Sequence, residues 1–160
     1  MKIRPVILCG GAGTRLWLDK KKHQAKQFID FGGWSLIQKT LERTNKPIFD
    51  FPIISTNLKY LKQVKLALKK SKIKKFKIVL EPAKKNTAPA ILASALIKDI
   101  PFEQPLMFFA ADHLIEKSNI LNKSLLKNKS NLDDQNLFII GIKPTNPSSE
   151  YGYYLTKKIE

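Results

Sequence analysis

Short apolar runs alternate along this chain with stretches in which apolar residues recur every three or four positions. Arg4–Leu8 reads as a first strand, residues 52–55 as a second, residues 76–80 as a third and Leu106–Ala110 as a fourth. Residues 137–142 and 153–158 add a fifth and a possible sixth. Between the strands the period lengthens to that of a helix. Leu36, Ile37, Thr40 and Leu41 share one side of a helix over residues 35–44, with Ser35 as N-cap. Asn57 caps a second helix reaching about Lys70, striped by Leu61, Val64 and Leu68. Residues 87–98 form an apolar helix with Pro89 in its first turn, where the missing N–H costs nothing. Residues 119–129 form a weaker one.

Strand, helix, strand, helix is the pattern of an α/β fold with a doubly wound, mostly parallel sheet. The fourth run, Leu106–Ala110, is apolar throughout and is expected in the middle of that sheet. No repeat, low-complexity segment or linker divides the chain, so residues 1–160 are expected to form one domain. Ligands of such sheets bind at the carboxyl ends of the strands. The polar residues that interrupt the pattern fall there: 10–15 after the first strand, 81–87 after the third, Asp112 after the fourth.

The first of these segments carries the most chemistry. Leu8-Cys9-Gly10-Gly11-Ala12-Gly13-Thr14-Arg15-Leu16 ends an apolar strand in three glycines, a threonine and an arginine. Glycines let backbone N–H groups approach a phosphate closely, and a guanidinium offers a planar, permanently charged fork. The spacing excludes two common phosphate loops. No Lys-Ser or Lys-Thr follows as a P-loop requires, and Leu16 stands where a dinucleotide fingerprint has its third glycine.

Gly10-Gly11-Ala12-Gly13-Thr14-Arg15-Leu16, followed by Lys26-Gln27-Phe28, resembles the signature of sugar-nucleotide pyrophosphorylases. Trp17 points within them to the mannose-1-phosphate guanylyltransferases. Three further segments fit in order: Glu81-Pro82 with Asn86-Thr87-Ala88-Pro89-Ala90, then Ala111-Asp112-His113, then Gly141-Ile142 through Tyr151-Gly152-Tyr153. The resemblance implies a Rossmann-like sheet of the nucleotide-diphospho-sugar transferase type, cut short on its C-terminal side. It implies attack of a mannose-1-phosphate oxygen on the α-phosphorus of GTP, yielding GDP-mannose and pyrophosphate. Gly10, Gly11, Ala12, Gly13 and Thr14 would cradle the triphosphate, and Arg15 would hold its β and γ phosphates. Lys26 matches the family lysine near the α-phosphate, so Arg15 and Lys26 are the expected catalytic pair. Asp112 matches a Mg²⁺ ligand. Glu81 would read guanine, with Asn86 and Thr87 completing the nucleotide pocket. Tyr151 and Gly152 would face the sugar. His113 is expected to be structural and His23 incidental.

The chain also departs from the family pattern. Leu18-Asp19-Lys20-Lys21-Lys22 and Ala25 replace a segment in which prolines are usual, so a more mobile loop before Lys26 is expected. Lys85 replaces an arginine, and Glu150 replaces the glycine before Tyr151. The later sugar motif and second metal aspartate of the family do not occur in the 160 residues. A GTP-binding chain without turnover, or a partner subunit completed by another chain or a second copy, is therefore an alternative expectation.

Composition narrows these readings. Hydrophobic residues make up 43% of the chain, and no apolar run approaches the ~20 residues that span a bilayer. With one cysteine, Cys9, no internal disulfide is possible, and a cytoplasmic location is expected. The net charge of +16 raises nucleic acid as a partner. Yet 26 of the 29 basic residues are scattered lysines, without zinc-ligand spacing or an aromatic-rich RNA motif. Dedicated nucleic-acid binding is thus the third reading, and attraction of nucleoside triphosphates the simpler use of the charge.

Overall fold

The computed structural model describes residues 2–11, 24–83, 85–132, 137–149 and 151–155. Four strands, β1 (Arg4–Leu8), β2 (Ile53–Asn57), β3 (Lys77–Glu81) and β4 (Leu106–Ala110), form one parallel sheet in the order β3-β2-β1-β4. The helices are α1 (Leu36–Thr44), α2 (Leu61–Lys70), α3 (Thr87–Ala95) and α4 (Ser118–Lys127).

The strand order dictates where the helices lie. The chain steps from β1 to β2 to β3 in one direction, then returns past β1 to reach β4. Right-handed crossovers therefore put α1 and α2 on one face and α3 on the other. On the first face, Ile7, Cys9 and Ile54 pack against Ile37 and Leu41 of α1 and Val64, Ala67 and Leu68 of α2. Register keeps this layer continuous: Ile7 pairs with Ile54 on one side and with Phe109 on the other. Phe109 belongs to a second cluster with Ile3, Ile48 and Phe49, against which Leu121 and Leu125 of α4 pack. On the opposite face Val6 and Ile53 are fully buried, and α3 contacts β1, β2 and β3 there. Both faces are covered, as a doubly wound sheet requires.

The amino edge of the sheet is tied by a polar knot. Buried Arg4 donates from Nη2 to Asp50 Oδ2 at 2.8 Å, from Nη1 to the Phe51 carbonyl at 3.0 Å and from Nε to Gln104 Oε1 at 3.0 Å. It thereby joins the starts of β1, β2 and β4. Partial burial alone would push the Asp50 carboxyl up. Hydrogen bonds from Gln104 and the Phe51 amide, with the charges of Arg4 and Lys75, outweigh that and hold it below the ordinary carboxylate range.

Several expectations need correction. β4 lies at the edge of the sheet among the described residues. Only Phe109 of its five residues is fully buried; the other four are half-buried. Residues 137–142 form no strand, and neither do 153–155; residues 156–158 lie outside the described set. Leu137, Ile139 and Ile142 are largely exposed. An apolar run becomes a strand only when a ladder partner is in register, and here none is. The second helix opens with a 3-10 turn, Leu58–Tyr60, and the third ends at Ala95. Ser35 precedes α1, but its hydroxyl meets Gln38 Oε1 at 2.9 Å instead of a backbone N–H.

Candidate functional site at the carboxyl edge

β1 runs out at Leu8, but its pairing continues for one more residue on each side. The Cys9 N–H donates to the Ser55 carbonyl at 2.7 Å, and the Ala111 N–H donates to the Leu8 carbonyl at 3.1 Å. These two bonds bring the ends of β1, β2 and β4 level. Gly10 and Gly11 therefore emerge between the polar end of β2 and the Ala111-Asp112 turn. Ala12, Gly13, Thr14, Arg15 and Trp17 lie outside the described residues, as do His23, Glu150 and residues 18–22.

Glu81 closes one side of the emerging loop. A Cβ built on Gly10 would lie 2.8 Å from Glu81 Oε1, so any larger residue there would push the carboxylate aside. The same oxygen accepts a hydrogen bond from the buried Ser55 hydroxyl at 2.8 Å. Glu81 is thus turned across the end of the sheet toward the loop. Oε2 accepts from no described residue and remains able to receive donors from a ligand.

Asp112 and Lys26 form the other side. Lys26 begins a 3-10 turn, Lys26–Phe28, whose Ala25 is buried against the body of the protein. Lys26 Nζ stands 4.0 Å from Asp112 Oδ2, a half-exposed ion pair at the limit of direct contact. A cavity of about 70 Å³ opens beside them, lined by Leu8, Gly11, Gln27, Ala111 and Asp112. A larger one of about 340 Å³ lies elsewhere, rimmed by Lys46, Lys72, Lys74 and Lys75 near the carboxyl ends of α1 and α2.

The structure thus brings Gly10, Gly11, Lys26, Glu81 and Asp112 to one edge. Asn86 and Thr87 stand at the start of α3, six residues beyond the end of β3 at most; Asn86 holds a left-handed φ of +65°. Both side chains are exposed. Among the described residues no contact brings Tyr151 and Gly152 to this edge, and Tyr151 is 70% exposed. His113 is exposed, with only its N–H engaged, by the Ala110 carbonyl at 3.5 Å. Cys9 is buried, and burial pushes its thiol up to about 12, so it packs as a neutral side chain.

Sequence reasoning missed four polar residues. Gln27 was quoted only as a neighbour of Lys26, and Asn57 was read as a helix cap. In the structure Asn57 makes no side-chain cap; its Nδ2 donates to the Gly10 carbonyl at 3.4 Å, and its buried Oδ1 has no donor. Ser55 and Thr56 stand beside it, both fully buried. The signal was present: β2 changes from Ile-Ile to Ser-Thr-Asn at the end where ligands bind.

Residues 4–158 match the nucleotidyl transferase family, and the chain belongs to it. It is 35% identical over 159 residues to a mannose-1-phosphate guanylyltransferase of Escherichia coli, covering 97% of this chain and 34% of that protein. It is 32% identical over 151 residues to the alginate biosynthesis protein AlgA of Pseudomonas fluorescens, covering 93% and 31%. The chain spans about a third of the length of these relatives. Among solved structures it is similar to a mannose-6-phosphate isomerase from Helicobacter pylori, with TM-score 0.63 and 28% identity over 81% of this chain and 46% of that one. The inositol-1-phosphate CTP transferase of T. maritima shares the fold, with TM-score 0.56 and 17% identity over 68% of this chain and 43% of that one. Nucleotidyltransferases of this family generally use a divalent metal.

Proposed function

We propose that these residues form the nucleotide-binding part of a cytoplasmic mannose-1-phosphate guanylyltransferase, which transfers a guanylyl group from GTP to mannose-1-phosphate and releases pyrophosphate. The observation that carries this reading is the meeting of Gly10-Gly11, Glu81 and the Lys26–Asp112 pair at one edge of the parallel sheet. The identity to guanylyltransferases supports the choice of reaction.

The reaction joins two anions, so the protein must hold them in line and neutralise charge as the α-phosphorus is attacked. Gly10 and Gly11 present backbone amides to the polyphosphate. Lys26 supplies a cation beside the same cavity, and Arg15 is assigned to the leaving pyrophosphate. Glu81 accepts from guanine N1–H and the 2-amino group, two donors that adenine does not offer together. Ser55 orients that carboxylate. Asn86 and Thr87 flank the base, and Tyr151 with Gly152 is assigned to the sugar.

Asp112 fits a Mg²⁺ ion: it is a half-exposed carboxylate with one distant protein partner, and Mg²⁺ takes one or two carboxylates with phosphate oxygens and waters. No group of three or more metal-binding side chains occurs among the described residues. The ion would therefore be held jointly by Asp112 and substrate, where it supplies charge neutralisation of the phosphates.

A second reading is favoured by one observation. Tyr151 is 70% exposed and no contact among the described residues joins it to the loop, so the chain alone is suited to bind GTP without turnover. Pyrophosphate release from GTP and mannose-1-phosphate, measured beside equilibrium GTP binding, separates the two. The guanylyltransferase reading expects both, with Lys26→Ala slowing release about 100-fold or more. GTP binding without release leaves the second reading. Glu81→Gln is expected to reduce the preference for GTP over ATP about tenfold; an unchanged preference removes Glu81 from base recognition.

A further inference from the structure

The glycine loop is held from behind. Gln27 is buried, and its Nε2 donates to the Gly11 carbonyl at 2.9 Å and to the Cys9 carbonyl at 3.4 Å. Thr56 Oγ1 also donates to the Cys9 carbonyl, at 3.3 Å, and Asn57 Nδ2 donates to the Gly10 carbonyl. Three consecutive carbonyls are thereby drawn toward the protein. In a planar trans peptide the C=O and the following N–H point in opposite directions. Capturing the Cys9 and Gly10 carbonyls therefore turns the Gly10 and Gly11 amides outward. Neither amide donates to another described residue. Outward N–H groups in succession are the donors that make an anion-binding concavity.

Gln27 has a special place among the three side chains. It reaches both ends of the Cys9–Gly11 segment with one amide group, and it lines the same cavity as Gly11 and Asp112. It also follows Lys26 directly, so one 3-10 turn sets the cation and the loop amides together. A neutral side chain with two N–H donors is needed for this. Glutamate would set oxygens against two carbonyls, and methionine would fill the volume and donate nothing.

We infer that Gln27 is a positioning residue of the phosphate cradle: by pinning the Cys9 carbonyl it aims the Gly10 amide at the polyphosphate, and its bond to the Gly11 carbonyl anchors the other end of the Cys9–Gly11 segment. The inference rests on the nucleotide-binding reading above, and it concerns phosphate affinity alone. Gln27 acts on the anion through the backbone that it holds.

The test compares the full chain with Gln27→Met and Gln27→Glu by calorimetry, using inorganic tripolyphosphate without metal, and guanosine as the phosphate-free probe. Tripolyphosphate affinity is expected to fall about tenfold in Gln27→Met and further in Gln27→Glu. Guanosine affinity should stay unchanged in both. Equal tripolyphosphate affinity in wild type and Gln27→Met overturns the inference and leaves the nucleotide reading standing. Parallel loss of both ligands also overturns it, because a merely structural role would not discriminate between them. A wild-type chain that binds neither probe overturns the nucleotide reading and the inference with it. Should Gln27→Glu fail to fold, the volume-conserving Gln27→Met, with its melting temperature recorded, carries the comparison.

Discussion

Ile54 and Ile139 are the same side chain in two runs of similar apolar character, and they meet opposite fates. Ile54 is fully buried between β1, β3 and the α1–α2 layer, whereas Ile139 is 68% exposed in a segment that joins no strand. Composition does not separate Ile-Ile-Ser-Thr-Asn from Leu-Phe-Ile-Ile-Gly-Ile; the second is the more hydrophobic. The difference is a neighbour. β2 has a strand on each side and helices on both faces, so each side chain finds a packed partner and each peptide a ladder bond. Residues 137–142 have none of these, although the outer edge of β4 stands unpaired among the described residues. An open edge and an exposed apolar run in one molecule favour association, and charged substitution is the usual remedy.

The contrast can be tested in order of size. Ile54→Ala should cost about 2–5 kcal/mol of stability, read as a lowered denaturation midpoint with unchanged cooperativity, because it empties a site in the continuous Ile7–Ile54 layer. A loss below about 1 kcal/mol would mean that the packed half is not the source of stability.

The next effect is on acid stability at the opposite, amino edge. The Asp50 carboxyl is held below its ordinary range in the folded protein, so it adds stability above the unfolded value of about 4. That contribution is lost as the pH falls through the folded value. Asp50→Asn should therefore flatten the acid side of the stability–pH curve while leaving Arg4 with its bonds to Phe51 and Gln104. An acid limb of unchanged slope would show that the Arg4 knot is not coupled to pH.

The smallest effect is expected in the exposed segment. Ile139→Ser should change stability by no more than about 0.5 kcal/mol, since no packing is lost. A cost near that of Ile54→Ala would mean that residues 137–142 are covered in solution, and a mass measurement by ultracentrifugation would then reveal the covering copy.

Much of the fold was legible because its signals are local. β1 and β4 have the bounds that the pattern predicts, and the four helices match it within a few residues, since period and apolar stripe are properties of neighbouring residues. The candidate site was legible in part for the same reason: Gly10, Gly11, Glu81 and Asp112 sit where strands end, and the strand ends could be counted, whereas Lys26 lies in a 3-10 turn and stood out only through its motif. Ser55, Thr56, Asn57 and Gln27 were not legible as loop supports. Their partners, the Glu81 carboxylate for Ser55 and loop carbonyls for the other three, lie up to 47 positions away in sequence. Tyr151 and Gly152 are placed by motif, yet no contact among the described residues joins them to the loop.

By itself, then, the amino-acid sequence determined the alternation of strands and helices, the parallel class of the sheet and the family of the glycine loop, because each is written in spacing along the chain. The tertiary structure alone decided that β4 ends at an edge, that residues 137–142 stay out of the sheet, that Glu81 turns against Gly10 and that Gln27 holds the loop from behind. Those outcomes depend on which distant groups meet, and a hydrogen bond or a packed face exists only once both partners are in place.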